Sequence, residues 1–180
     1  MEPLRFWLPV NRTLQEVLVP GNFMESVILP ALHHEAGHII AAHHFQGAVY
    51  GIAIALNPAR SSEGLTFQAM YEPINWTLRS RCIVKAAGPA ADLKYRGAID
   101  EAGASGDIHD IEGLTGISSL GPYIEAATAV LDGHGGALER VVVELQKAIT
   151  GKGPRYSRLL PGGDLGVVLV DANRLRNCLS

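Results

Sequence analysis

The sequence is poor in cysteine and in aromatic residues. Cys82 and Cys178 are the only cysteines, far apart along the chain, and aromatic residues make up 6% of it. Two cysteines cannot build the disulfide framework of a small secreted domain or a zinc cage made of thiolates. We therefore expect two buried, free thiols in a reducing compartment. The chain has 180 residues, 47% hydrophobic and 18% charged, which is typical of a single globular domain and not of a disordered or collagen-like chain.

The chain also lacks an excess of positive charge and a long apolar run. Fifteen Lys and Arg against 18 Asp and Glu give a net charge of -3, so we do not expect nucleic acid as a partner. A membrane-spanning helix needs about 18 or more apolar residues in a row, and no such run is free of charges and breaks. The N-terminus is charged and interrupted by Pro9 and Pro20, unlike a signal peptide. We therefore predict a cytoplasmic protein without a membrane segment.

The chain divides into three parts of what we treat as one domain. Residues 1–29 are predicted to be an irregular N-terminal arm, residues 30–150 the folded region, and residues 151–180 a tail rich in proline and glycine. Within the tail, 167–171 (VVLVD) predicts an edge strand or a segment that docks on a neighbour.

The folded region is predicted to be mainly α with a small β-hairpin. Residues 31–46 follow Pro30 and stop before Gly47, which predicts one helix. Residues 48–57 and 65–71 are rich in strand-forming side chains and predict a β-hairpin with a long loop.

Further helices follow the hairpin. From 74 to 95 apolar residues recur every three or four positions, which predicts a helix with a kink or a fresh start at Gly88-Pro89. Residues 97–106 are predicted to be a flexible loop that leads into a short helix starting near Asp107. Two more packing helices are predicted, one opening at Gly121 and one over 138–149.

The segment with the clearest chemistry is His34-Glu35-Ala36-Gly37-His38. An i, i+4 pair on a helix lies about 40° apart around the axis and about 6 Å along it, so two imidazoles can reach one metal ion. Glu35 points about 100° away from His34, so it cannot easily ligate that ion but can act as general base on a water there. Ala36 and Gly37 leave room beside the metal.

Zinc fits this donor set. Neutral imidazole nitrogens bind zinc at about 2.0–2.1 Å, and a catalytic site keeps three protein ligands and one open position. Zinc lowers the pKa of its water to about 7 and polarises a carbonyl, so peptide hydrolysis is the predicted reaction. A third protein ligand is required.

Two candidates for that ligand compete. His44 has the metzincin spacing after His38, but the glycine that turns the metzincin chain is Ala41 here. A helix that continues past Ala41 carries His44 about 9 Å along its axis from His38, out of reach. The alternative is Asp107, in the segment Gly-Ala-Ser-Gly-Asp at 103–107.

The wider pattern resembles a known family. HEAGH at 34–38 and the apolar residues 39–45, a short β region, AAGPAAD at 86–92 and GASGDI at 103–108 are similar in order and spacing to the peptidase domain of FtsH-type ATP-dependent zinc metalloproteases. The similarity covers roughly two thirds of the chain, 30–150. It implies that this region is a metallopeptidase domain with a zincin-like fold.

The resemblance also implies a set of site residues. Zinc would be held by His34, His38 and Asp107, and Glu35 would take the role of the catalytic glutamate. Asp107 also has a purely structural interpretation, because an aspartate before a helix accepts backbone amides as an N-cap. The two uses can coexist through different oxygens.

Three positions depart from the family pattern. Gly106 replaces an asparagine, Pro89 replaces an arginine, and Asp92 replaces a longer glutamate. We interpret Asp92 as a solvated helix carboxylate, with the alternative that it accepts the free N–H of a ligand histidine.

The other histidines have more modest roles. His33 faces away from His34 and is expected to be a packing or surface residue. His43, His44, His109 and His134 are expected to be polar surface or capping groups, although His109 is close enough to Asp107 to contact substrate.

The sequence contains neither the Gly-x-x-x-x-Gly-Lys-Ser/Thr loop of the family's ATPase module nor its membrane anchor. We therefore expect a stand-alone zinc metalloendopeptidase that cuts peptides, unfolded proteins or flexible tails, unless a separate ATP-dependent unfoldase feeds it. The strand at 65–71 is a candidate for pairing with an extended substrate. Two alternatives stay open: a zincin with a different third ligand, and a non-catalytic module that zinc only stabilises. A homo-oligomer also stays open.

Overall fold

The chain is mainly helical, with two antiparallel sheets, in a computed structural model that describes residues 4–10, 13–19, 22, 24–56, 65–117, 119–151, 156–159, 165–170 and 172–180. The strands are β1 (Leu4–Val10), β2 (Thr13–Val19), β3 (Ala48–Leu56), β4 (Leu65–Glu72), β5 (Tyr156–Leu159) and β6 (Leu165–Leu169). The helices are α1 (Leu29–His44), α2 (Leu78–Arg96), α3 (Glu101–Thr115), α4 (Gly121–Gly133), α5 (Ala137–Ile149) and α6 (Ala172–Leu179). A π-helical turn, Met24–Ile28, leads into α1.

Helix α1 lies at the centre of the helical layer. It has Pro30 in its first turn, and all its side chains from Leu32 to Ala42 are buried. It packs against α2, α5 and both strands of the β3–β4 hairpin. A helix that is covered on every side in this way forms the core of its domain. The predicted helix at 31–46 is confirmed, with an earlier start and end.

The close approach of α1 and α2 depends on Gly37. A Cβ atom at this position would lie 2.2 Å from the carbonyl oxygen of Ala87 and 2.8 Å from Cβ of Ala91. Distances this short exclude any side chain, so glycine lets the two backbones come together. Gly37 therefore serves the contact between helices, a role that the sequence analysis did not predict.

Helix α2 runs through Pro89 without interruption. It begins after Thr77, whose hydroxyl accepts the amide of Ser80, and ends at Gly97 in the left-handed conformation with φ 73°. The predicted helix is confirmed, but the fresh start at Gly88-Pro89 is wrong. The buried face of α2 packs on α1 and α4, which offsets the hydrogen bond that proline removes.

Helix α3 replaces most of the predicted flexible loop at 97–106. It begins at Glu101, and Asp100 caps it by accepting a hydrogen bond from the amide of Gly103 at 3.2 Å. Asp107 therefore lies inside the helix, and both its predicted position at a helix start and its N-cap interpretation are wrong. Its three glycines cost the helix about 1 kcal/mol each, which the cap and the packing of α3 on α2 help to offset.

The predicted hairpin is confirmed as part of a larger sheet. Strands β3 and β4 pair antiparallel, with Ile52 opposite Ala69, and the full strand order is β4-β3-β6-β5. Strand β6 lies between β3 and β5, so residues 167–169 of the predicted edge strand belong to an interior strand. One of its two partners, β3, is far away in sequence, and local pattern cannot show such a pairing. The predicted hairpin loop, 58–64, lies outside the described residues.

The two ends of the chain contribute regular structure. Strands β1 and β2 pair antiparallel over 4–10 and 13–19, so the predicted irregular N-terminal arm is wrong for these residues. Helices α4 and α5 are confirmed, and α6 packs on α5. Cys82 and Cys178 are buried and free, as expected. None of the helices within the described ranges has the length and apolarity that crossing a bilayer requires.

Candidate metal centre

Two histidines of α1 point the same ring nitrogen at one carboxylate. Nε2 of His34 and Nε2 of His38 each lie 3.1 Å from Oδ2 of Asp107, which α3 supplies. The two rings are one helical turn apart, and their centroids are separated by 4.9 Å. The structure thus brings together the three side chains that the sequence analysis singled out, with ligand atoms within 4.8 Å of one another.

The outer nitrogen of each ring has a fixed acceptor. Nδ1 of His34 donates to Oδ2 of Asp92 at 3.0 Å, and Nδ1 of His38 donates to the carbonyl oxygen of Val84 at 2.7 Å. Because both partners are acceptors, each neutral ring carries its proton on Nδ1 and turns the lone pair of Nε2 inward. This is how metal-binding histidines are usually oriented.

In the form that binds a metal, with both rings neutral, the inner atoms lack a proton, because metal binding releases protons from the ligand side chains. Neutral His34 and His38 present lone pairs, and the carboxylate of Asp107 offers only acceptors. A cation between the three atoms satisfies all of them at once. In a tetrahedral zinc site with bonds of about 2.0–2.1 Å, neighbouring ligand atoms lie about 3.3 Å apart, close to the 3.1 Å found here. The donor set therefore fits zinc.

Gly88 leaves space at this point. A Cβ atom on Gly88 would lie 2.4 Å from Nε2 of His34 and 2.5 Å from Nε2 of His38. The face of α2 that looks at the two rings is therefore open only because this residue has no side chain.

Asp107 is held by its second oxygen. Nζ of Lys85 lies 3.6 Å from Oδ1 of Asp107 and 2.7 Å from Oδ2 of Asp110. Both acidic residues belong to α3 and Lys85 to α2, so this ammonium group ties the two helices together. With Oδ1 facing Lys85, Oδ2 faces the histidines.

Asp92 is buried and connected, so its interpretation as a solvated helix carboxylate is wrong. Its side chain is 2% exposed, and besides binding His34 it lies 3.6 Å from the guanidinium of Arg96. Arg96 also lies 3.5 Å from Asp100, the N-cap of α3. One arginine thus connects the carboxylate that orients His34 with the start of the helix that carries Asp107.

The local field favours positive charge at the centre of the site. Burial lowers the pKa of His34, but its hydrogen bonds to Asp107 and Asp92 and the nearby charge of Glu35 outweigh burial and raise the pKa to about 10. Burial opposes ionisation of Asp107, yet the adjacent His38 and His34 hold the pKa of that carboxyl far below its usual range. The same field attracts a divalent cation.

Glu35 lies beside this centre and is 7% exposed. Its Oε2 accepts a hydrogen bond from the backbone amide of Ala69 in β4. Burial raises the pKa of Glu35, although His38, His34 and that amide pull it down. A carboxyl group whose pKa is raised can accept and return a proton nearer to neutral pH.

The site opens into a groove of about 1000 Å³. Residues from α1, β4, α2 and α3 line it, among them His34, Glu35, Tyr71, Lys85, Asp107 and His109. A smaller cavity of about 500 Å³ lies along α3 and includes none of the three clustered side chains.

The remaining histidines lie apart from the three clustered side chains. His44 is exposed, and its ring contacts His134 at 3.2 Å. His33 is buried, donates from Nδ1 to the carbonyl oxygen of Leu29 and stacks on Tyr95, so its predicted packing role is confirmed. His109 is exposed and lines the groove.

Sequence reasoning missed Lys85, Gly88 and Arg96 as parts of the site. A signal for them exists: Lys85, Gly88, Asp92 and Arg96 have the spacing i, i+3, i+7, i+11, which is one face of a helix. A charged stripe with a glycine in it, on the face that meets the histidine motif, marks the side of α2 that borders the candidate metal centre. Val84 contacts His38 through its backbone carbonyl, so its residue type gives no signal in the sequence.

Comparison of the chain with protein-family models and with curated proteins finds no match. The case for a function therefore depends on the geometry of the site and on the motifs themselves.

Proposed function

We propose that this protein is a zinc-dependent metalloendopeptidase with a zincin-like fold, of the kind its resemblance to FtsH-type peptidase domains implies. The observation that carries the proposal is the convergence of three acceptor atoms, from His34, His38 and Asp107, next to a buried glutamate. In this proposal, the arrangement supplies a cation site and a base that both line one open groove.

Zinc held there supplies Lewis acidity, which lowers the pKa of a water and polarises a peptide carbonyl. The protein's own side chains would hold the ion, orient its ligands and transfer the proton. His34, His38 and Asp107 hold the ion, and Asp92, Val84 and Lys85 keep their ligand atoms aimed at it. Glu35 takes the proton of the attacking water on a carboxylate oxygen and returns it to the amine that leaves.

The substrate we propose is an extended peptide or an unfolded segment. Strand β4 ends the four-stranded sheet and borders the groove through Phe67, Ala69 and Tyr71. An edge strand can bind an extended chain by adding it to the sheet. The backbone amide of Ala69 in β4 donates to Glu35. A peptide added to this edge of β4 would therefore lie close to Glu35, the proposed base.

The ligand count supports catalysis over a purely structural ion. In the part of the chain that the structure describes, the candidate group has three members. Structural zinc sites usually have four protein ligands, whereas catalytic sites have three and an open position. The non-catalytic alternative would need a fourth protein ligand.

The replacement Glu35→Gln tests the proposed reaction. Glutamine keeps an oxygen that accepts the Ala69 amide, so the fold and zinc content should be unchanged. Hydrolysis of an unstructured fluorogenic peptide should fall by about 10²–10⁴-fold, the usual contribution of a general base. Chelation should abolish the wild-type rate, and added zinc should restore it. A wild-type protein that binds zinc but cleaves none of a varied peptide set would instead support the non-catalytic module.

The replacement Asp107→Ala distinguishes the proposed third ligand from its rival. We expect loss of stoichiometric zinc, measured by elemental analysis after dialysis, because a two-histidine site binds much more weakly. His44→Ala is the matched control and should retain the tightly bound zinc. Retention in the first variant and loss in the second would establish the zincin with a different third ligand.

A further inference from the structure

Two helices end side by side away from the groove, and each end carries histidine. Helix α1 finishes with His43 and His44, and α4 finishes at Gly133 with His134 as its C-cap. Nδ1 of His44 lies 3.2 Å from Nε2 of His134, and the ring of His43 lies edge-on to His134 at a centroid distance of 6.2 Å. His44 is about 9 Å farther along α1 than His38, so this cluster is separate from the candidate metal centre.

The surroundings of the cluster favour neutral rings and an added cation. Burial, together with the neighbouring His134, lowers the pKa of both His43 and His44, so these rings are neutral at neutral pH and have a lone pair to offer. The negative ends of two helix dipoles meet here, each equivalent to roughly half an elementary charge. A divalent cation gains from both dipoles.

We propose that His44 and His134 form a second transition-metal site, able to bind Zn²⁺, that fastens the end of α1 to the end of α4. The nitrogen separation of 3.2 Å is close to the roughly 3.3 Å between neighbouring ligands of a tetrahedral zinc ion. Imidazole is a preferred ligand of Zn²⁺, Ni²⁺ and Cu²⁺, and both rings reach solvent, so water completes the coordination. This site is independent of the proposed peptidase activity.

Calorimetric titration with Zn²⁺ tests the second site. Protein already loaded with one equivalent should show a further, weaker binding step. Replacing His44 or His134 by glutamine should weaken that step by about tenfold or more. Losing a residue that only hydrogen-bonds a metal ligand already costs other metal sites this much affinity, and loss of a ligand itself should cost at least as much. His109→Gln removes an exposed histidine outside the cluster and should leave the second step unchanged. A wild type without the step, or two cluster variants that retain it, would overturn the proposal.

A measurement on the wild type alone guards against variants that fold poorly. Long-range ¹⁵N–¹H spectra resolve histidine ring nitrogens, and Zn²⁺ added beyond the first equivalent should shift Nδ1 of His44 and Nε2 of His134. A simple hydrogen bond between the rings predicts no such shift at these two atoms. If the signals of both nitrogens do not shift while zinc binds, the ion is bound elsewhere and the proposal fails.

Discussion

At the scale of single residues, the candidate centre depends on groups that do not face the centre themselves but bind the three candidate ligand side chains and orient them. Asp92 and the carbonyl of Val84 place protons on the outer nitrogens of His34 and His38, which leaves the inner nitrogens free for a cation. Lys85 occupies one oxygen of Asp107 and leaves the other to face the rings. Each ligand atom is therefore aimed before any ion arrives, which lowers the entropic cost of binding.

The replacement Asp92→Asn tests this support. Asparagine keeps an oxygen but loses the charge that holds both His34 and Arg96, so zinc affinity should fall by about 10–100-fold. Competition with a chromophoric chelator measures the change. Asp132→Asn is the matched control, since Asp132 pairs with Lys94 on the surface with a side chain 58% exposed. Equal zinc affinity in the two variants would remove Asp92 from the site.

Element by element, the site exists because α1, α2 and α3 meet closely. Gly37 allows α1 to approach the backbone of α2, and Gly88 leaves the space in front of both rings. Asp107 arrives from α3, which Arg96 ties to Asp92 through the N-cap Asp100. The centre is thus a property of three helix contacts, and one added methyl group at the right place should destroy it.

That place is Gly88. In Gly88→Ala the new methyl would occupy the space next to Nε2 of His34 and His38, so stoichiometric zinc should be lost although alanine favours the helix. Gly113→Ala in α3 is the control, because its methyl would meet no atom within 4 Å. It should bind zinc normally and gain up to about 1 kcal/mol of stability. Normal zinc binding by Gly88→Ala would show that the ion, if present, lies elsewhere.

The start of α3 gives a pH-dependent prediction. The amide of Gly103 lowers the pKa of Asp100 against the effect of partial burial, and Arg96 adds to this. A carboxyl group with a lowered folded-state pKa stabilises the protein above its unfolded pKa, and that contribution disappears as the pH falls through the folded value. Asp100→Ala should therefore cost about 1 kcal/mol in the free energy of unfolding at neutral pH.

Denaturant titrations of the chelated protein at several pH values check this. Asp100→Asn keeps a capping side chain but cannot ionise, so its deficit relative to wild type should shrink as the pH falls below about 4. A deficit that is the same at pH 3 and pH 7 would mean that the charge of Asp100 plays no part in the cap.

For the whole molecule, local sequence pattern was sufficient to predict the structure wherever the interacting residues are close together in the sequence. His34, Glu35 and His38 share a helix, so their spacing alone predicts their relative placement. Asp107 could be proposed only through a resemblance, because 69 residues separate it from His38 and no local rule brings the two together. Only the part of its helix before Asp107 was missed, because Gly103 and Gly106 are poor helix formers and tertiary packing outweighs propensity.

The sheet shows the same limit. The hairpin β3–β4 could be predicted because its two strands are adjacent in the sequence. Strand β6 pairs with β3 across more than a hundred residues, and nothing in the segment VVLVD itself indicates that the strand is interior. The buried role of Asp92 was misjudged because a carboxylate on a helix is usually solvated. Only the contact with His34 and Arg96 explains why this one is not.

One measurement tests the central claim most directly: anomalous difference maps from zinc-loaded crystals, collected just above and just below the zinc absorption edge. We expect the strongest peak about 2.0–2.2 Å from Nε2 of His34, Nε2 of His38 and an oxygen of Asp107, with one coordination position left to solvent. A zinc-loaded crystal with no peak among these three atoms, or a peak whose fourth ligand is another protein side chain, would contradict a catalytic zinc centre.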